Sequence, residues 1–252
     1  MRRMEADEYR RMAAAGTRHW WYRSTRRLLA QLMGPYLSAS STRPLVLDAG
    51  GGTGSTGSWL TAYADVVLAD VEPMALQIAH ADHPRLTPAA ADLNRLPFAD
   101  GAFDAVLCVT ALYHRLNPDP GAIVRDFARI VRPGGVVCLM EPGGRRLHRG
   151  HDEVTHTARR FARADLRSMC AEAGLEVQRC TGAYTFLVPP AFVLGLLERR
   201  STDAGEARSD IDRNESGLGG VFPALASFER KLLRHVDLPG GLSVVAVARK
   251  PA

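Results

Sequence analysis

Lysine is nearly absent from the 252 residues: apart from Lys231 and Lys250, the 32 basic residues are all arginine. The arginines are scattered, with no dense basic block of the kind that tracks a nucleic-acid backbone. A net charge of +5 therefore reads as compositional bias, compatible with an anionic substrate. Cysteine is scarce too. Cys108, Cys138, Cys170 and Cys180 stand far apart with no CxxC pair, and three lie in apolar stretches, a pattern that suits a reducing compartment. No apolar core of a signal peptide follows the basic residues of MRRMEADEYRRMAAAG. The longest apolar segment, Tyr184 to Leu197, is broken by Pro189 and Pro190 and is too short to span a bilayer. The expectation is a cytoplasmic protein without internal repeats.

What is present is a sizeable core complement, 46% hydrophobic against 23% charged residues. Residues 1–36 read as helical, with Leu28, Leu29, Leu32 and Met33 at helical spacing and Gly34-Pro35 as the stop. Strand-like and helical segments then alternate. Strands are expected at 44–48, 65–70, 86–90, 103–109, 136–141, 176–187 and 242–249, and helices near Trp59 and over 73–81, 120–131 and 162–173. Gly174 serves as a helix stop. Such alternation predicts a mostly parallel sheet with helices on both faces. Arg199 to Gly220 reads as a mobile loop. Phe222 to Val236 reads as an amphipathic helix with Phe222, Leu225, Phe228, Leu232, Leu233 and Val236 facing inward.

The sharpest local feature is VLDAGGGTG (46–54), a strand entering a turn without side chains. Glycines permit positive φ and let a ligand touch the backbone. Alone the loop is ambiguous, because Gly52, Gly54 and Gly57 also satisfy the dinucleotide pattern GxGxxG. Asp70 closes the next strand 20 residues after Gly50, where a carboxylate can accept both hydroxyls of a ribose. Two further acids separate the cofactor classes: Asp48, directly before the glycines, and Asp92 in ADLNRLPF (91–98).

With VLDAGGGTG (46–54), LADVEPMAL (68–76), AADLNRLPFADGAFDAVLCVTALYH (90–114) and IVRPGGVVCLMEP (130–142) in order, the chain resembles a class I S-adenosylmethionine-dependent methyltransferase of the small-molecule "type 11" kind. The resemblance covers roughly 44–142. It implies a Rossmann-like doubly wound seven-stranded sheet, order 3-2-1-4-5-7-6 with the last strand antiparallel. N-terminal helices and a helical insertion before the last strand complete the expected α/β architecture. The implied organisation is one domain: 1–36 an N-terminal helical lid, 37–188 the cofactor-binding core, 189–240 the insertion with its loop, 241–252 the final strand.

The resemblance also implies site roles. Asp48, Gly50, Gly52 and Gly54 would line the methionine part of S-adenosyl-L-methionine. Asp70 would hold the ribose, with Val71 against the adenine; Asp92 would accept from the adenine amino group, and Leu93 would donate a backbone N–H to the ring. Thr110 would lie beside the sulfonium. HWWYR (19–23) resembles an N-terminal element of a subgroup, and His151-Asp152 through His156 to Arg159-Arg160-Phe161 resembles a segment after the fifth strand, with phenylalanine where tyrosine is usual.

Methyl transfer from a sulfonium is an in-line displacement, so the protein aligns the acceptor and excludes water. A hydroxyl acceptor benefits from a base, for which His114 is the first candidate and His156 the next. The alternative for His114 is a loop residue bonded to backbone. Trp20, Tyr22 and His151 are the candidate substrate contacts; the alternative for the aromatic pair is packing of the first helix on the sheet. The His148, His151, Asp152, Glu153 and His156 cluster matches no zinc spacing, and no metal is expected. The position after the fourth strand reads Val109-Thr110-Ala111-Leu112 rather than NPPY, so a small-molecule acceptor is expected and nucleic acid is not. The competing functions are a nicotinamide-dependent oxidoreductase using the GxGxxG and a non-catalytic adenosylmethionine-binding scaffold. Specialised metabolism is one setting that the resemblance suggests.

Overall fold

The computed structural model describes residues 10, 13–16, 18–38, 42–144, 157–192 and 220–252. Seven strands form one sheet: β1 (Leu45–Ala49), β2 (Asp65–Asp70), β3 (Leu86–Ala90), β4 (Phe103–Val109), β5 (Val131–Pro142), β6 (Glu176–Ala183) and β7 (Ser243–Arg249). Their order is β3-β2-β1-β4-β5-β7-β6. Every pairing from β3 across to β5 is parallel, whereas β7 runs antiparallel to both β5 and β6. The expected doubly wound seven-stranded architecture is thus the one observed.

Because side chains alternate across a strand, each central strand feeds two cores. Leu47, Val106, Leu139 and Ala246 point to one face, under α3 (Pro120–Ile130) and α4 (Arg163–Glu172). Val46, Leu107, Met140 and Val245 point to the other, under α1 (Trp20–Leu37), α2 (Pro73–Asp82) and α5 (Val221–Leu232). Local chemistry sets the helix ends. Asp119 accepts the Ala122 N–H at 2.9 Å ahead of Pro120, a proline already suited to a first turn. Gly174, at φ 75°, closes α4 where the sequence places a stop.

Three expectations are corrected. First, α1 does not stop at Gly34-Pro35 but runs to Leu37 with Pro35 inside it. The ring costs only one N–H so near the end, and the Ser38 N–H and Oγ both bond the Gly34 carbonyl, at 3.0 and 3.1 Å. Second, β6 ends at Ala183, because Tyr184 is left-handed (φ 55°) and a 3-10 turn follows at Thr185–Leu187. Third, α5 buries Ala226 and Glu229, with Leu233 just beyond its end, while Leu225, Phe228, Leu232 and Val236 are 40–69% exposed. The cause of the last two is Glu229, whose carboxylate accepts the N–H groups of Tyr184 and, at 2.7 Å, Thr185. That contact turns the 222, 226, 229 and 233 side of the helix inward and gives the strand's next donors a partner outside the sheet. The expected loop at 199–220 lies, except for Gly220, outside the described residues. Among the described residues no helix is long and apolar enough to cross a membrane.

Candidate active site

Strand order reverses between β1 and β4, which is where open α/β sheets leave a crevice at the carboxyl ends of their strands. A cleft of about 470 Å³ lies there. Its walls are the glycine loop after β1, the end of β2, the Asp92 turn after β3 and the loop after β4.

The glycine loop folds back on β2. Gly50 and Gly51 donate to the Ala69 carbonyl at 2.8 and 3.2 Å, and Gly52 donates to Asp70 Oδ2 at 2.9 Å. Gly50 and Gly52 have φ of 69° and 54°, a region closed to most side chains. Gly51 and Gly57 are needed for space: a Cβ on Gly51 would sit 2.7 Å from Asp48 Oδ2, and one on Gly57 would overlap that oxygen. Asp48 is therefore wrapped in glycine backbone and 1% exposed. Among the described residues its Oδ2 has no hydrogen-bond donor, and burial, with the Asp70 charge adding to it, pushes its carboxyl up to about 7. A buried acceptor without a donor is costly, and a ligand bringing an ammonium or N–H group would relieve it.

Asp70 is already engaged on both oxygens, by Gly52 and by the Glu72 N–H at 2.9 Å, and burial raises its pKa. Val71 is 40% exposed on the cleft. Asp92 Oδ1 accepts from the Asn94 backbone and side chain at 2.9 and 2.8 Å, closing a tight turn beside buried Leu93. Across the cleft Thr110 sits at φ 49°, a strained conformation for a β-branched residue, with its N–H on the Met140 carbonyl at 2.7 Å. The segment after it is pinned by a buried carboxylate from β5: Glu141 accepts the N–H groups of Ala111, Leu112 and Tyr113 at 3.1, 3.0 and 3.2 Å. His114 lines the cleft, and its Nδ1 accepts the Leu116 N–H at 3.1 Å, so the neutral ring carries its proton on Nε2. Residues 157–161 cross over this loop, with Thr157 bridged to His114 and the Ala158 N–H on the Tyr113 carbonyl at 3.0 Å.

Asp48, Gly50, Gly52, Asp70, Val71, Asp92, Leu93, Thr110 and His114 therefore share one cleft. Gly54 is not part of it: its Cα faces Leu86, His83 and Leu68. Trp20 and Tyr22 are buried away from the lining, Trp20 against Tyr184, Phe186 and Phe222 at ring distances of 5.5–6.4 Å. His19 caps α1 by accepting the Trp21 N–H at 3.3 Å. His151 and His156 lie outside the described residues. Among those described, no group of His, Cys, Asp or Glu is placed to hold a metal. All four cysteines are buried thiols, with Cys138 and Cys170 pushed up to about 12 by burial.

Sequence reasoning gave no role to Glu141, to Asn117, or to Arg26. Arg26 Nη1 donates to the Gly16 and Ser55 carbonyls, both at 2.7 Å, and clips the N-terminal segment to the glycine loop. For Glu141 the signal was present: an acid ending an otherwise apolar strand, as in Asp48 and Asp70.

Comparison with known proteins gives a consistent picture. The family described as "Methyltransferase domain" matches residues 46–135. A demethylmenaquinone methyltransferase of Mycolicibacterium vanbaalenii is 39% identical over 127 residues, 49% of this chain and 50% of that protein. The curated relatives compared are matched over 30–58% of their own length. Among solved structures, Haemonchus contortus phosphoethanolamine N-methyltransferase 2, in complex with S-adenosyl-L-methionine, has a TM-score of 0.57 at 19% identity, covering 90% of this chain and 52% of that one. The [4+2]-cyclase SpnF has a TM-score of 0.58 at 20% identity, covering 92% and 82%.

Proposed function

We propose that the chain is a class I S-adenosylmethionine-dependent methyltransferase that methylates a small-molecule acceptor held against the loop after β4. The observation that carries this reading is the orphaned Oδ2 of Asp48, buried in a glycine wrap that a single Cβ would fill. The amino-acid end of S-adenosylmethionine brings the ammonium that such an oxygen lacks. The rest of the cleft fits the remaining parts. Asp70 keeps lone pairs for ribose hydroxyls while its bonds to Gly52 and Glu72 hold it in place. Val71, Asp92 and Leu93 form the adenine side, with the Asp92 carboxylate fixed by Asn94. Thr110 faces the reacting end. When bound, the cofactor supplies an electrophilic methyl group and its leaving group.

The chain's own contribution is alignment and exclusion of water. Thr110 and His114 shape the acceptor side, and residues 157–161 cover the loop that carries them. With Nδ1 engaged by Leu116, the neutral His114 ring is a donor at Nε2, suited to an acceptor that carries an oxygen or a lone pair. To act as a base it would have to release the Leu116 bond. The Arg26 clip ties α1 and Gly16 to Ser55, which suits α1 to act as a lid over the glycine loop. An acceptor belonging to small-molecule biosynthesis is in keeping with the demethylmenaquinone methyltransferase relative.

A nicotinamide oxidoreductase fits less well, because the GxGxxG glycines Gly54 and Gly57 are used against the core and against Asp48. Titration calorimetry of the cofactor-free protein with S-adenosylmethionine and S-adenosylhomocysteine tests the reading. Both should bind, and Asp70→Ala should weaken both while the circular dichroism spectrum is unchanged; absence of binding by the unaltered chain overturns the reading. Binding without turnover on any acceptor would favour the scaffold alternative.

A further inference from the structure

Glu141 is fully buried near the end of β5, and among the described residues no cation is within ion-pair distance of it, Arg159 acting on it only from farther away. Its two oxygens instead take three successive backbone N–H groups, those of Ala111, Leu112 and Tyr113. Three consecutive donors converging on one carboxyl group form a nest, and the left-handed Thr110 turns the chain into it. Thr110, Ala111 and Tyr113 face the cleft, while Leu112 points into the core. The Ala111 methyl lies where a Cβ on Gly50 would come within 2.7 Å, so the loop sets the width of the cleft at the glycine turn. Its far end is tied to the adenine side: Asn117 Nδ2 donates to the Ala111 carbonyl at 2.6 Å, and Asn94 Nδ2 bonds both the Leu116 carbonyl and Asp92 Oδ1, at 2.9 and 2.8 Å. One buried carboxylate thus fixes a loop that touches the glycine turn, the Asp92 turn and His114.

We propose that Glu141 is a positioning residue for methyl transfer, holding the nest of Ala111, Leu112 and Tyr113 so that Thr110 and His114 face the donor side at a fixed separation. The proposal rests on the methyltransferase reading and deepens it. Burial alone pushes the carboxyl up to about 8 even with three donors on it, so the chain keeps a costly group there rather than an amide or an apolar side chain. Glutamine would keep one acceptor oxygen and aim its NH₂ at an N–H that needs an acceptor.

The experiment compares the unaltered chain, Glu141→Gln and Met140→Ala by amide hydrogen exchange and by S-adenosylhomocysteine titration, at a temperature where all are folded. Met140 is the adjacent residue, buried on the opposite face of the sheet, and serves as a control for lost stability. In Glu141→Gln the Ala111, Leu112 and Tyr113 amides should exchange about tenfold faster or more, with Cys138 and Val245 unchanged, and affinity should fall about fivefold or more. Met140→Ala should leave the three amides and the affinity within about twofold. Unchanged exchange in Glu141→Gln, unchanged affinity despite faster exchange, or an equal loss of affinity in Met140→Ala overturns the proposal. If Glu141→Gln does not fold, the unaltered chain decides: S-adenosylhomocysteine should slow those three amides by about tenfold, and no slowing overturns the proposal. A wild-type chain that binds no S-adenosylhomocysteine sinks the methyltransferase reading itself, and the exchange rates still show whether the carboxylate pins the loop.

Discussion

At the residue scale the decisive group is Asp48, because its protonation should be readable in ligand binding. Its folded pKa of about 7 lies above the ordinary carboxylate value, so in the ligand-free chain its contribution to stability is complete at low pH and is lost as pH rises through about 7. An ammonium ligand reverses the preference, since it binds the ionised form. Affinity for S-adenosylhomocysteine should therefore strengthen from about pH 6 to about pH 8, by at most tenfold per unit. Asp48→Asn should bind more weakly and lose that slope; calorimetry at a series of pH values checks both. His114→Ala should leave affinity for the product within about twofold. With an acceptor in hand, turnover should fall by about a hundredfold or more if the ring moves a proton, and by about tenfold if it only donates a hydrogen bond, in which case His114→Gln recovers part of the loss. That Asp48, Asp70 and Asp92 meet at one cleft was legible from their order at three successive strand ends, since each alone could equally be a cap or turn residue. The bond from Gly52 to Asp70 and the Nδ1 bond of His114 were not, because both depend on how the loops turn in three dimensions.

At the scale of elements, periodicity located α5 and put Phe222 and Leu233 inward, as observed, but wrongly grouped Leu225, Phe228, Leu232 and Val236 with them. The stripe of Leu225, Phe228, Leu232 and Val236 has the regular spacing that normally marks a buried side, yet these residues are exposed. A buried carboxylate overrode the pattern, since Glu229 has two backbone donors to satisfy at the end of β6 and no apolar residue can do that. Glu229→Ala should cost about 2–4 kcal/mol by leaving those donors unpaired, whereas Phe228→Ser should stay within about 0.5 kcal/mol. Urea unfolding of the two variants checks the contrast, and a large cost at Phe228 would mean that the exposed stripe is covered in solution. The same contact explains why β6 stops at Ala183, four residues before the strand end expected at Leu187. Hydrophobicity cannot tell an edge strand from a turn that presents its amides to a neighbouring helix.

For the whole molecule, the strand order is the feature that composition and alternation alone could not supply. They indicate strands and helices in turn, which fits several doubly wound sheets; the antiparallel β7 between β5 and β6 follows only from the resemblance carried by the four motifs. That topology places the switch point between β1 and β4, so the glycine turn and the Glu141-pinned loop become opposite walls of one cleft. A ligand spanning both walls ties together segments far apart in sequence, and it should stabilise the fold as one unit. At a free concentration about a hundred times its dissociation constant, such a ligand adds about 2.7 kcal/mol. For a chain of 252 residues that corresponds to a rise in Tm of about 5–10 °C. S-adenosylhomocysteine should produce that rise in a thermal scan, and reduced nicotinamide cofactors at the same concentration should leave Tm unchanged. The reverse outcome would return the glycine loop to the dinucleotide-binding class, with Asp48 left as a buried charge that the ligand does not meet.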